Sequence, residues 1–468
     1  MLKSFLRSTI LVIIPLAFSA CTQEMTPEKW NIVFILADDL GWNQVGYHGT
    51  GYYETPNIDR ISAEGISFSN AYSANPVCSP TRGSIMTGKN SARLHLTNYI
   101  PGSPYPHAML TTPTMAECLP MEEFTLAELM KANGYVTGHF GKWHLSPDKN
   151  YVPGRPFDPA SQGFDDIFTS VKPEPDADPA ADAHHAVEIT ERTLKFIEEN
   201  KDKPFFAWVS HHVVHRPIME EESLIAKYAA KPGSEDPVNN PIMGAMIETM
   251  DKGIGQIIDM LEELELTERT IVIFYSDNGG YEQLQDQAPF RGGKAMVFEG
   301  GIKVPLAIKW PGVVAAGAKN DELVISDDFF PTLADILDFE KLPEDIDGIS
   351  LLPVLEGNGN LERNTLYFHY PHYHHQGFKP AGAIHEGDYK LIEWFEQSIS
   401  GEGKAYDLYN LAMDPGEKND LSELMPEKVI EMADRLQQWR KDVGAQEMDL
   451  NEAYLPEKAD WRNMDSMD

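Results

Sequence analysis

Four stretches of the chain share one pattern, a short continuous apolar run that gives way abruptly to charged or titratable side chains. "NIVFILADD" ends in Asp38 and Asp39, and "YVTGHFGKWH" ends in Lys142 and His144. "PFFAWVSHHVVH" ends in a histidine cluster, and "TIVIFYSDNGG" ends in Asp277 and Asn278. Each run is rich in β-branched and aromatic residues and bounded by Gly, Pro or Asp, which predicts a buried strand. Between them, "TLAELMKANG" with its stop at Gly134, "AVEITERTLKFIEENK" and "PIMGAMIETMDKGIGQIIDMLEELEL" carry helical patterns. Strands alternating with helices predict an α/β domain with a central, mostly parallel sheet and helices on both faces. Ligands in such sheets bind outside the carboxyl ends of the strands, so the four polar endings are expected to converge.

From about residue 360 the texture changes. "TLYFHYPHYHH", "GAIHEGDYKLIEWFE" and "KAYDLYNLAMDPGEKNDLS" read as aromatic strands joined by Gly-Asp and Asp-Pro-Gly turns, and "PEKVIEMADRLQQWRKDV" as a closing helix. This predicts a smaller C-terminal antiparallel sheet with one helix. The chain has 468 residues, more than the roughly 250–300 at which a single core stops growing. The expected division is a catalytic domain over residues 28–355 and a smaller α+β unit over 360–468. "VKPEPDADPAADAHH" reads as a surface loop, with a place near the site left open.

A formal net charge of −35 argues against nucleic acid as a partner, because phosphate backbones need concentrated Lys and Arg. An anionic substrate must therefore find a local cationic pocket. At the N-terminus, Lys3 and Arg7 precede an apolar run from Ile10 to Phe18, then Ser19 and Ala20 before Cys21. This reads as an export signal over residues 1–21 and not as part of the fold. The run is shorter than the about 20 apolar residues of a membrane span. Small residues directly before a cysteine resemble the lipobox of bacterial lipoproteins, which makes Cys21 a lipidation site. The alternative is ordinary signal-peptidase cleavage. The expected location is the cell envelope, outer membrane or periplasm, with surface exposure open and membrane contact only through the lipid. Cys78 and Cys118 remain, and an oxidising compartment would let them pair.

Two carboxylate-rich pairs at strand ends, Asp38–Asp39 and Asp277–Asn278, supply hard oxygen donors suited to Ca2+ or Mg2+ and poor for zinc. Lys142, His144, His215 and Lys294 add cationic or proton-transferring groups. A divalent ion with two lysines suits an oxyanion ester, whose peripheral charge must be neutralised before a nucleophile can approach. Pro80 fits the first turn of a helix that "TRGSIMTG" continues. Cys78 then sits at a helix N-terminus, where N–H groups favour anions, with Arg82 one turn on.

"CSPTRGSIMTGK" resembles the C-x-P-x-R signature of the type I, formylglycine-dependent sulfatases of the alkaline phosphatase superfamily. "ADDLG", "GKWHL", "HRP", "SDNGG", "RGGK", "EGGIKVPLAIKWPG", "DGISLLPVL" and "LYNLAMDPGEKNDL" match the family's other motifs in order, from about residue 30 to 440. The resemblance implies an alkaline-phosphatase-like domain with a smaller C-terminal one, and a bacterial exported carbohydrate sulfatase. It also implies that a maturase oxidises Cys78 to formylglycine (3-oxoalanine) before export. Asp38, Asp39, Asp277 and Asn278, with the modified Cys78, would bind Ca2+ in preference to Mg2+. Arg82 and Lys142 would hold the formylglycine, Lys294 would grip the sulfate, and Asp277 would help deprotonate the attacking hydroxyl. His215 would protonate the leaving alcohol, with His211 and His212 as alternatives, and His144 would take a proton from the second hydroxyl of the aldehyde hydrate. Ser146 stands where the family often has Gly.

The substrate implied by export is a sulfated polysaccharide or its oligosaccharides. Arg93 and His95 in "SARLHLTN", and His372 and His374 in "FHYPHYHHQGFKP", are candidate sugar contacts; the second segment is equally suited to aromatic packing between domains. One rival is a phosphonate monoester hydrolase or phosphodiesterase of the same superfamily. Another is an inactive glycan-binding surface lipoprotein, against which the full set of Cys78, Lys142, His144, His215 and Lys294 argues. Oligomeric state is not legible.

Overall fold

Strand β1 (Asn31–Ala37) is apolar on both faces: Ile32, Phe34 and Leu36 enter one core, Val33, Ile35 and Ala37 another. That double burial makes "NIVFILA" a continuous apolar run and puts β1 inside the sheet. The computed structural model describes residues 29–147, 152, 154–339, 341–376 and 378–459. Cys21 and the segment over 1–21 lie outside the described residues.

The large sheet contains β1, β2 (Ile66–Phe68), β3 (Val136–Gly141), β4 (Asp166–Thr169), β5 (Phe205–Ser210), β6 (Thr270–Ser276), β7 (Leu306–Lys309) and β8 (Ala318–Asn320). Their order is β8-β2-β7-β6-β1-β5-β3-β4, and β7 runs against both neighbours while the other pairings are parallel. The four strands whose ends carry chemistry, β6, β1, β5 and β3, are therefore contiguous and parallel. Their register is level: Ala37 lies opposite Ser276, and Ser210 lies opposite both Leu36 and Gly141.

One face is covered by α1 (Pro56–Glu64), α4 (Ala186–Asn200) and α5 (Pro241–Glu263). The other is covered by α2 (Cys78–Thr87), α3 (Leu126–Ala132) and α6 (Phe329–Ile336). The expected stop of α3 is present, with Gly134 at φ 78°, and Thr125 and Glu128 form a capping box at its start. No described helix is long and apolar enough to cross a membrane.

The predicted small sheet is present as β9 (Thr365–Tyr370), β10 (Ala381–Glu386), β11 (Tyr389–Trp394) and β12 (Tyr406–Asn410), antiparallel in sequential order. Helix α7 (Pro426–Asp442) packs Met432 and Leu436 on Ile384, Leu391 and Leu408 of one face. The other face, with Phe368, Ala383 and Ile392, shares an apolar seam with Val77, Ala295, Val297 and Ile302. The same seam buries Lys390 between Glu299 and Glu417. The small sheet is thereby fixed against the loops that carry Cys78 and Lys294.

Candidate active site

The carboxyl ends of β1 and β6 place Asp38, Asp39, Asp277 and Asn278 together, all buried, and α2 starts beside them at Cys78. One ligand atom from each of Asp38, Asp39, Cys78 and Asp277 lies within 4.8 Å of the others. Internal hydrogen bonds order the cluster: the Asp39 amide donates to Asp277 Oδ1 at 3.1 Å, and Asn278 Nδ2 donates to Asp39 Oδ1 at 2.7 Å. Two buried oxygens have no donor, Asp38 Oδ1 and Asn278 Oδ1. Burial is the main force pushing Asp38 up to about 7, and the charges of Asp277 and Asp39 add to it despite Lys142. Buried oxygens without donors, beside crowded carboxylates, fit a hard divalent cation.

Three cations surround this cradle. Lys142 Nζ donates to Asp38 Oδ2 at 2.6 Å, and Lys294 Nζ to Asp39 Oδ2 at 2.9 Å. Arg82 meets Asp277 Oδ2 through Nε at 2.9 Å and Nη2 at 2.7 Å. Its Nη1 donates to Ser210 Oγ at 2.6 Å and to the Lys142 carbonyl at 3.1 Å. Although burial opposes it, Arg82 and Lys142 hold Asp277 below the usual carboxylate range. Ser210 and Tyr281 are the members that the sequence did not reveal. Ser210 is the last residue of β5, and Tyr281 OH accepts from Lys294 Nζ at 3.1 Å.

Glycines set the positions of Lys142 and Lys294. Gly141, at φ 108°, ends β3, and a Cβ there would meet Ser210 O at 1.9 Å. The chain can therefore turn hard against β5 and deliver Lys142. A Cβ on Gly279 would meet Gly300 O, also at 1.9 Å. "SDNGG" and "EGG" thus pack backbone to backbone, and the loop between them reaches the site, with the Lys294 amide donating to Gly280 O at 2.8 Å.

The histidines differ in their partners. His144 Nε2 faces Ile100 O at 2.8 Å; a carbonyl only accepts, so the proton sits on Nε2 and the buried Nδ1 is left as an acceptor without a partner. His215 Nδ1 is likewise on the Arg216 carbonyl at 2.6 Å, and its Nε2 lies 3.8 Å from Asp39 Oδ2. Burial first, then Lys142 for His144 and Lys294 for His215, holds both imidazoles well below the ordinary histidine range. His212 Nε2 pairs with Ser170 Oγ at 3.0 Å, and His211 is buried with neither ring nitrogen partnered. Of the three, His215 is the one that meets the acidic cluster. The loop predicted from "VKPEPDADPAADAHH" backs this turn, since His184 Nε2 donates to the carbonyls of Pro217 at 3.0 Å and His215 at 3.3 Å.

Cys78 and Cys118 are free thiols, so they are not bridged. Burial pushes the Cys78 thiol up to about 12 in spite of Lys142 and Lys294, and a thiol that stays protonated is a poor ligand and nucleophile. The four candidate sugar contacts are placed differently. Arg93 is taken up by Asp347, through Nε at 2.8 Å and Nη2 at 2.6 Å. His95 Nε2 meets Gly444 O at 2.9 Å, and His372 Nε2 meets Thr97 Oγ1 at 2.8 Å. His374 packs edge-on to Tyr99, and the nearby charge of Lys294 is among the influences that, after burial, keep it neutral.

A buried acid cradle ringed by three cations, at the carboxyl edge of a doubly covered sheet, defines a hydrolase for anionic esters. The sulfatase family model matches residues 30–339, and the model for the C-terminal part of N-sulphoglucosamine sulphohydrolase matches residues 292–442. A sulfatase of Formosa agariphila is 29% identical, the match covering 92% of each chain. Human N-acetylgalactosamine-6-sulfatase is 31% identical, over 73% of this chain and 69% of its own. The crystal structure of Ps i-CgsB superposes with a TM-score of 0.75 at 24% identity, covering 93% of this chain and 97% of that one. The chain belongs to the sulfatase family and is a sulfuric ester hydrolase.

Proposed function

We propose that this protein removes sulfate from a sulfated polysaccharide or its oligosaccharides, with formylglycine made from Cys78 as nucleophile and Ca2+ in the acid cradle. The observation that carries this reading is the convergence of Cys78 with Asp38, Asp39 and Asp277 around the orphan oxygens of Asp38 and Asn278. The names of the relatives give it a direction. One is an N-acetylgalactosamine-6-sulfatase, and one fold neighbour was crystallised with k-i-k-neocarrahexaose.

Asp38, Asp39, Asp277 and Asn278, with residue 78, would hold the cation, which supplies neutralisation of charge on the sulfate oxygens. The hydrated aldehyde supplies one hydroxyl to attack sulfur and a second whose deprotonation releases sulfate. The chain's own groups do the rest. Arg82 and Lys142 steady residue 78, and Lys294 holds the sulfate. The carboxylates of Asp38, Asp39 and Asp277 balance Arg82, Lys142 and Lys294, so a divalent cation leaves the site net positive for an anionic ester. His215 presents Nε2 to the leaving alcohol, and the negative sulfate raises its proton affinity against Lys294. His144 offers Nδ1 as the acceptor for the second hydroxyl's proton. Among the candidate sugar contacts, His374 lies where the charge of Lys294 is felt, and Arg93 is paired with Asp347.

Export and lipidation at Cys21, and maturation of Cys78 by a formylglycine-generating enzyme, belong to the same proposal. The test is hydrolysis of defined sulfated saccharides alongside aryl sulfate and aryl phosphonate esters. Release of sulfate from saccharides supports the reading, and a strong preference for phosphonate overturns it.

A further inference from the structure

Arg216 follows His215 directly, yet its side chain does not hold the turn. It is exposed, and among the described residues no hydrogen bond or ion pair takes up its guanidinium. In a chain with 73 Asp and Glu against 38 Lys and Arg, an arginine without a carboxylate beside a reactive centre calls for a reason. The contact it does make is with Tyr281, whose ring centroid lies 5.3 Å from the guanidinium carbon.

Tyr281 links that guanidinium to the site. Lys294 Nζ is 4.8 Å from the same centroid and donates to the phenol oxygen, and the His215 ring stands edge-on at 6.1 Å. Arg216 and Lys294 can be no farther apart than the sum of their distances to one centroid, which is the scale of a substituted sugar ring. The ring also orders the guanidinium before any ligand arrives, which lowers the entropic cost of binding. A planar guanidinium pairs two N–H groups with a carboxylate or sulfate better than a lysine does.

We propose that Arg216, seated on Tyr281, is an anion subsite on the leaving-group side of the centre. The substrate then carries a second negative group, a carboxylate or another sulfate, on the sulfated sugar or its neighbour. This rests on the carbohydrate sulfatase reading above, with His215 at the leaving alcohol.

The test uses three saccharides with the same scissile sulfate, whose second group is neutral, a uronate carboxylate or a second sulfate. For wild type, Arg216→Ala and Arg216→Lys, the readout is the ratio of kcat/KM for each charged saccharide to the neutral one. The expected wild-type ratio is about tenfold or more for at least one charged saccharide. It falls toward unity in R216A, mainly through KM, is partly kept in R216K, and shrinks with added salt. The arm that responds distinguishes carboxylate from sulfate. A ratio equal in wild type and R216A, or a common loss on all three saccharides, overturns the subsite. Calorimetric binding of the same saccharides to Cys78→Ala protein, with and without R216A, separates this from failure of the reaction. An Arg216-dependent preference there supports the subsite even if wild type releases no sulfate, and its absence overturns it.

Discussion

At the seam between the sheets, Lys390 is buried between Glu299 at 3.0 Å and Glu417 at 2.9 Å. The other oxygens of these carboxylates are also met, Glu299 Oε2 by Tyr72 OH at 2.8 Å and Glu417 Oε2 by the Glu299 amide at 2.7 Å. At the strand ends, Asp38, Asp39 and Asp277 are just as buried and have cations of their own, yet Asp38 Oδ1 and Asn278 Oδ1 face no donor. Buried charge is costly in both places. The seam sets a cation against both carboxylates and serves as a joint, with Glu417 Oε1 in ion-pair reach of Lys390 but without a hydrogen bond; the strand ends gather open oxygens around Cys78 and serve as a cradle. Convergence of several ligand atoms from Asp38, Asp39, Cys78 and Asp277 beside open oxygens, more than charge itself, marks the reactive region.

The widest separation between the two regions is expected from Cys78→Ala. Sulfate release should fall by on the order of 10⁴-fold or more, with the circular dichroism spectrum and melting temperature close to wild type. His215→Ala should cost roughly 10²–10⁴-fold on a sugar sulfate, and clearly less on an aryl sulfate, whose phenolate leaves unaided. Equal losses on both would remove His215 from the leaving group. Lys390→Met tests the other side. It strands two buried carboxylates, and denaturant unfolding should show a loss of about 3–5 kcal/mol, while the folded fraction keeps its KM. The same variant alters the response to acid. Against burial, Lys390 and Lys303 hold Glu299 at about 2, while burial and the Glu299 charge push Glu417 up to about 7; the contribution of Glu299 is therefore complete above the ordinary 4.5 and is lost as pH falls from there toward 2. In K390M that portion of acid sensitivity should disappear. The smallest expected effect is that of Ca2+ on stability, about 2.7 kcal/mol at a hundredfold excess over Kd. It should vanish in Asp38→Ala and persist in K390M.

Much of the cradle was legible in the sequence because each strand announces itself by an apolar run and each run stops at its reactive residue. Asp38, Lys142 and Asp277 follow directly from β1, β3 and β6, and His215 comes five residues after the end of β5. The small sheet was legible for a similar reason, through the turn at Gly387–Asp388 between β10 and β11; the Asp414–Pro415 turn, read as a strand connection, lies beyond β12, and a helical turn over Phe395–Ser400 stands between β11 and β12 instead. Partners were not legible. Nothing in "FFAWVS" tells that Ser210 will support Arg82, or in "GGYEQ" that Tyr281 will receive Lys294, because those contacts arise only when distant loops pack. The seam was hidden for the same reason: Glu299, Lys390 and Glu417 are each ordinary surface residue types until the sheets close over them. Arg93 shows the converse, a cation beside a promising motif that the fold commits to Asp347.

The most direct measurement is the intact mass of the tryptic peptide over residues 61–82, from protein produced together with a formylglycine-generating maturase. Conversion of Cys78 exchanges the thiol sulfur and two hydrogens for one oxygen atom, and the aldehyde is captured by hydrazide reagents. The active protein is expected to carry that mass, with sulfate release rising in proportion to the converted fraction. An unmodified thiol at residue 78 in fully active protein would rule out formylglycine as the nucleophile.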